Sequence, residues 1–125
     1  MDGSHPEFKP LRVLIVEDEA LVSMLIEDNL LDMGHEVAAM ASRLTPALDL
    51  ARTGSFDVAI LDVNLDGEPS YPIADVLRER GIPMIFASGY GPSGLDPNYA
   101  GTPILTKPFI AADLEKALLN VTGRV

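Results

Sequence analysis

The sequence predicts a doubly wound α/β domain, in which a parallel sheet carries helices on both faces. Three observations predict it. Val58-Ala59-Ile60-Leu61 is an unbroken apolar run that stops on Asp62, the pattern of a central strand covered on both sides. Strand-like and helix-like stretches alternate along the chain instead of segregating. Polar groups stand at four of the strand ends, and open α/β sheets bind ligands just past the carboxyl ends of their strands.

Each element follows in order. Met1 to Pro10 (MDGSHPEFKP) is polar, holds two prolines and lacks periodicity. Gly-Ser-His and Pro-Glu-Phe resemble cloning-linker remnants, and a native disordered tail reads equally well, so the domain is placed at residues 11–125. Leu11 to Val16 is the first strand, ending on Glu17-Asp18-Glu19. Ala20 to Met33 shows a helical stripe through Leu21, Met24, Leu25 and Leu31, with Gly34 as the stop. His35 to Ala41 is a weaker second strand, placed at a sheet edge. Thr45-Pro46 reads as an N-cap followed by proline at the first helical position, opening a helix that runs to Thr53-Gly54. Asp57 to Asp62 is the third strand. A polar loop, Asn64 to Ser70, leads to a helix with Pro72 in its first turn and Gly81 at its end. Pro83 to Ser88 is the fourth strand and Pro103 to Thr106 a short fifth. In the last helix, Ile110, Leu114, Ala117, Leu118 and Val121 form one apolar face. The connection from Gly89 to Gly101 breaks the rhythm, because it holds four glycines with Pro92 and Pro97. A mid-helix proline costs about 3 kcal/mol and a glycine about 1 kcal/mol, so at most one helical turn is expected near Leu95 to Ala100.

Composition narrows the function. Nineteen acidic residues against nine basic ones leave a formal charge of −10, which argues against a nucleic-acid surface. There is no cysteine, hence no disulfide frame, thiolate zinc site or thiol nucleophile. No apolar run nears the roughly 20 residues that cross a bilayer, and no signal peptide is recognisable. A cytoplasmic location fits this composition.

The strand ends carry the chemistry: Glu17 and Asp18 after the first, Asp62 after the third, Ser88 after the fourth and Lys107 after the fifth. In a flavodoxin-like three-layer sandwich, with five parallel strands in the order 2-1-3-4-5, the first and third strands are neighbours at the switch point. The three carboxylates then converge, with the hydroxyl and the amine beside them. Clustered carboxylates repel unless a cation sits among them, and hard oxygen donors of this kind suit Mg²⁺ together with a phosphate oxygen. Asp62 can then serve as a carboxylate nucleophile toward a phosphoryl group, with Lys107 pairing a phosphoryl oxygen and Ser88 donating to another. Taken singly, Asp18 and Asp62 are ordinary caps, Ser88 a turn residue and Lys107 a surface lysine. Glu19 is read as first-turn helix charge. Four strand ends with matching chemistry outweigh those separate readings.

The segments LIVEDEA, LDVNL, FASGYG and TKPF resemble the signature of response-regulator receiver domains, CheY-like modules of two-component and phosphorelay systems, over residues 11–121. The resemblance implies that Asp62 is the phosphoacceptor and that Asp18 and Asp62 ligate Mg²⁺ directly. Glu17 would act through water, and the Asn64 backbone carbonyl would complete the protein ligands. It further implies Ser88 as the switch hydroxyl, Lys107 as the phosphate-binding lysine, and a cis Lys107-Pro108 bond. The donor would be a phosphohistidine on a sensor histidine kinase or a histidine phosphotransfer protein. Two departures stand out: the usual aromatic three residues before the lysine is Ile104, and the fourth helix is the short or disordered stretch described above. Both are similar to a subgroup named for Phe-Ala-Thr-Gly-Tyr, here Phe86-Ala87-Ser88-Gly89-Tyr90. On that likeness Tyr90 takes over the aromatic's switch role and residues 89–101 order on phosphorylation; alternatively, Tyr90 only packs over the site rim.

Other functions fit less well. A haloacid-dehalogenase-type phosphatase needs a general acid two residues after the nucleophile, and Asn64 cannot supply a proton. A phosphoacceptor is therefore expected rather than an enzyme with substrate turnover. Glu-Asp-Glu after the first strand would repel the pyrophosphate of a dinucleotide. A docking module that works without phosphorylation is disfavoured because Asp18, Asp62, Ser88 and Lys107 are all present. Only four residues follow Val121, so either a stand-alone receiver or one excised from a longer hybrid kinase is expected. Its downstream protein is unknown, and the last helix with the fifth strand is the expected contact surface.

Overall fold

The computed structural model describes residues 9–123; the expected tail falls mostly outside them. The main sheet comprises β1 (Arg12–Val16), β2 (Glu36–Ala41), β3 (Val58–Asp62), β6 (Met84–Ser88) and β7 (Ile104–Thr106). All neighbours pair in parallel, in the order β2-β1-β3-β6-β7. Counted over these five strands, that is the expected 2-1-3-4-5. A small antiparallel ribbon, β4 (Asn64–Leu65) with β5 (Glu68–Pro69), stands apart from the sheet. The helices are α1 (Ala20–Asp32), α2 (Leu44–Thr53), α3 (Tyr71–Glu79) and α4 (Ala111–Thr122).

Alternate residues of each strand feed opposite cores. Val13, Ile15, Ile60, Ile85 and Leu105 pack under α1 and α4. Leu14, Val16, Ala59, Leu61 and Phe86 pack under α2 and α3. With both faces covered, β3 is buried along its whole length, as its unbroken apolar run requires. β2 lies at the edge and alternates less cleanly.

Several local expectations are corrected. In α1 the inward residues are Ile26 and Leu30, with Val22 and Met33 packed beside them. Leu21, Met24, Leu25 and Leu31 are exposed. The helix carries two apolar stripes, and periodicity alone cannot say which one the sheet takes. Its stop at Gly34, with φ 87°, is as expected. α2 opens two residues early: Arg43 is the N-cap, without a side-chain cap bond. Thr45 is therefore inside the helix, and Pro46 occupies the first turn, where no N–H is needed. On α4, Leu114, Ala117 and Leu118 face the core, but Ile110 is the exposed N-cap. The stretch after β3 is not a plain loop. Asp66 and Gly67 both have positive φ, 51° and 88°, the two-residue turn that an Asp-Gly pair favours between antiparallel strands.

The β6-to-β7 connection holds two short 3₁₀ turns, Gly91–Gly94 and Pro97–Tyr99, and no crossover helix. Tyr99 is buried in the place a helix would cover. Its ring stacks on Tyr71 at 5.5 Å and meets Phe86 edge-on at 5.5 Å. The Arg78 guanidinium lies 3.9 Å above it. The Tyr99 hydroxyl donates to Asp75, Arg78 donates to the Asn98 carbonyl at 2.8 Å, and the Asp96 amide donates to the Tyr71 hydroxyl at 2.7 Å.

Candidate functional site

The site lies at the carboxyl ends of β1, β3, β6 and β7. Parallel pairing sets Val16 beside Leu61, so Glu17 and Asp62 leave neighbouring strands at the same level. Ser88 ends β6 opposite Thr106, and Lys107 follows at once. The sheet register alone thus gathers Glu17, Asp18, Asp62, Ser88 and Lys107 at one edge. Glu17, Asp62 and Ser88 are buried.

Lys107 Nζ is the hub. It lies 2.9 Å from Glu17 Oε1 and 3.1 Å from Asp62 Oδ2, with Glu19 Oε1 at 3.4 Å. Backbone amides orient the acids: Asn64 donates to Asp62 Oδ1 at 3.2 Å, Asp66 to Asp18 Oδ2 at 2.9 Å, and Glu19 to Glu17 Oε2 at 3.1 Å. The β4–β5 turn is therefore part of the site wall. It is locked in turn by the Gly67 amide, which donates to Asn64 Oδ1 at 2.7 Å. A cleft of about 510 Å³ opens between these groups, lined by Asp18, Asp62, Asn64, Tyr90 and Lys107.

The charges do not balance. Burial pushes the Glu17 carboxyl up to about 7, although the bond from Lys107 pulls it back. Asp62 is raised as well, again chiefly by burial and against its bonds from Asn64 and Lys107. For Asp18, partial burial opposes the charge, but the Asp66 amide and bonds shared with Asp62 and Glu17 prevail and its pKa is lowered. Burial would lower Lys107, yet its bonds to Glu17 and Asp62 hold it above the ordinary lysine value.

Four carboxylates, Glu17, Asp18, Glu19 and Asp62, each offer one oxygen within 4.8 Å of all the others. Such hard donors, two of them buried, fit a divalent cation of the Mg²⁺ kind. Asn64 lines the same cleft as Asp18 and Asp62.

Ser88 Oγ accepts from the Tyr90 amide at 3.0 Å, and its carbonyl accepts from the Lys107 amide at 2.8 Å. A Cβ at Gly94 would stand 3.1 Å from Tyr90 Cβ and 3.6 Å from Ser88 Oγ, so the first 3₁₀ turn closes tightly over Ser88, and a larger residue there would have to displace Tyr90 by a few tenths of an ångström. Tyr90 is 84% exposed at the rim. Ile104 pairs with Phe86, two residues back from the Ser88 level, and lines a cavity with Leu95. The Lys107–Pro108 bond is cis.

Two residues escaped the sequence reading. Glu19 is not first-turn helix charge; it is the N-cap of α1, and its side chain turns to Lys107. The third acid of Glu17-Asp18-Glu19 was its only signal. Tyr99 is hidden in a Gly- and Pro-rich stretch that offers no period.

A family model described as the response regulator receiver domain matches residues 13–119. Among solved structures, BeF3-activated Sma0114 is 59% identical, covers 98% of this chain and 100% of that one, and superposes with a TM-score of 0.58. SdrG from Sphingomonas melonis Fr1 is 38% identical, covers 90% and 96%, and has a TM-score of 0.82. The transcriptional regulatory protein PdtaR of Mycobacterium tuberculosis (strain CDC 1551 / Oshkosh) is 29% identical over 92% of this chain and 58% of its own. The chain spans between 36% and 58% of the length of the first curated relatives it matches.

Proposed function

The chain belongs to the response regulator receiver family of two-component systems, and we propose that it works by accepting a phosphoryl group on Asp62. One observation carries this reading. The Asp62 carboxylate ends the central buried strand 3.1 Å from Lys107, with Glu17 and Asp18 close enough to share a cation with it.

The donor is a phosphohistidine, on a sensor histidine kinase or a histidine phosphotransfer protein. An Asp62 carboxylate oxygen attacks phosphorus, the P–N bond of the donor breaks, and its electron pair returns to the imidazole. The product is a mixed anhydride on Asp62. Asp18, Asp62 and the Asn64 carbonyl would hold Mg²⁺, with Glu17 behind them through water; a bound cation neutralises the negative charge gathered between carboxylates and phosphoryl oxygens. Lys107 gives up its contact with Asp62 Oδ2 and pairs with a phosphoryl oxygen. The Ser88 hydroxyl donates to another, which draws on the Tyr90 amide now bonded to Ser88 Oγ. Exposed Tyr90, with Ile104 in the usual aromatic position, supports membership of the Phe-Ala-Thr-Gly-Tyr subgroup and a switch role for the Gly89-to-Gly101 segment.

Leu21, Met24 and Leu25 lie exposed on α1 directly after the acidic run, which supports docking of the donor there. The described residues include no helix long and apolar enough to cross a membrane, and a cytoplasmic signalling role suits the reading. It holds equally for a stand-alone receiver and for one that is part of a longer hybrid kinase.

The test is intact mass after incubation with Mg²⁺ and acetyl phosphate, beside Asp62→Asn. A gain of one phosphoryl group that needs Mg²⁺ and is absent in the variant is the expected result. No gain, together with no response to beryllofluoride, would leave a docking module that works without phosphorylation.

A further inference from the structure

Glu19 occupies the N-cap of α1, yet its side chain makes no cap bond. Glutamate is not among the favoured N-caps, which are short side chains that fold back onto the first amides. The carboxylate reaches away from the helix to Lys107 Nζ, the third acid on one ammonium. The Glu19 side chain is 64% exposed, so the pair adds little to stability. Its consequence lies in what Lys107 has to do.

The three acids on Lys107 differ in what phosphoryl transfer does to them. Asp62 becomes the anhydride and loses its carboxylate charge. Glu17 is buried beside the ion site and stays there. Glu19 alone keeps a full, solvent-side charge that competes with the incoming phosphoryl oxygens for the same ammonium. Resting on Asp62 as acceptor, we infer that Glu19 is a positioning residue acting through Lys107. It holds the ammonium back from the entering phosphoryl group and thereby slows uptake of that group.

Phosphorylation by acetyl phosphate at saturating Mg²⁺, followed by intact mass over time, tests the inference. Glu19→Gln should raise the rate constant about three- to tenfold, the size of one partly screened charge contact. Glu19→Asp retains the charge but is one methylene shorter and prefers to cap the helix, so it releases Lys107 and should be accelerated to a similar degree. In a Lys107→Ala background the Glu19→Gln acceleration should vanish, a coupling that a merely structural role would not produce. Unchanged rates in both Glu19 variants overturn the inference. So does acceleration in Glu19→Gln alone, which would be through-space charge, and so does acceleration that persists without Lys107. If the wild-type chain gains no phosphoryl mass, the Asp62 reading falls and this inference with it. If it gains mass and the variants match its rate, this inference alone falls.

Discussion

Two polar clusters lie near opposite ends of the β6-to-β7 connection, and they treat charge in opposite ways. At Tyr99, one carboxylate (Asp75), one guanidinium (Arg78) and one phenol satisfy one another around a buried ring. At the strand ends, four carboxylates crowd together and three of them share one ammonium. The first cluster is closed and holds the chain in place of a helix. The second is left in conflict, and a cation and a phosphoryl group are what would resolve it. Local conflict of this kind is expected where a protein does chemistry rather than where it only packs.

The largest effect should come from breaking the closed cluster. Tyr99→Ala removes a buried ring that stacks on Tyr71 and meets Phe86, and should cost about 3–5 kcal/mol in urea denaturation. Amide exchange in residues 95–103 should accelerate, while Mg²⁺ affinity at the strand ends stays unchanged. A cost below about 1 kcal/mol would show that the connection is held by something other than this ring.

The open cluster should reveal itself through pH. Glu17 is raised from 4.5 to about 7, so between those values the folded state binds more protons than the unfolded one. Stability of the metal-free protein is then greatest below pH 4.5, as far as this group decides it, and is lost as pH rises through about 7. Asp62 is raised too and adds to the same trend. Asp18 is lowered and acts in the other direction, but only below its ordinary value of 3.8. The loss from pH 5 to 7.5 should be on the order of 2–3 kcal/mol, followed by thermal denaturation without metal. Saturating Mg²⁺ should restore it, and Glu17→Gln should flatten the profile. The Tyr99 cluster predicts no such slope in this range, which is what sets the two apart.

The same contrast explains how much was legible in the sequence. The strand order and the site's main groups could be read because sheet register turns strand ends into neighbours: a run such as Val58 to Leu61 fixes its own place, and Asp62 follows. The absent helix was legible from glycine and proline alone. Harder to read were choices made by packing. α1 has two apolar stripes, and only contact with the sheet selects Ile26 and Leu30 over Leu21 and Leu25. The Asp66-Gly67 pair was a hairpin signal passed over as a polar loop. Glu19 and Tyr99 were illegible for a shared reason: each acts through partners distant in sequence, Lys107 for the one and Tyr71, Asp75, Arg78 and Phe86 for the other, and no local pattern marks such contacts.

The smallest expected effect separates ring from hydroxyl within the closed cluster. Tyr99→Phe keeps the stacking on Tyr71 and the guanidinium above the ring, and removes only the bond to Asp75. Because Asp75 is exposed and can turn to water, the cost should be about 1 kcal/mol, a fraction of that for Tyr99→Ala. The phenol offers an independent reading of the same bond. Burial first, then the hydrogen bond and charge of Asp75, push its pKa up to about 12 against the opposing Arg78 charge. A tyrosine raised in the fold contributes stability in full below pH 10 and loses it as pH climbs through about 12. The tyrosinate absorbance that differs between wild type and Tyr99→Phe should therefore appear only near pH 12, and in Asp75→Asn it should move lower. A difference signal already half complete at pH 10 would mean that the phenol is open to water, and that the closed cluster is held by its stacked rings alone.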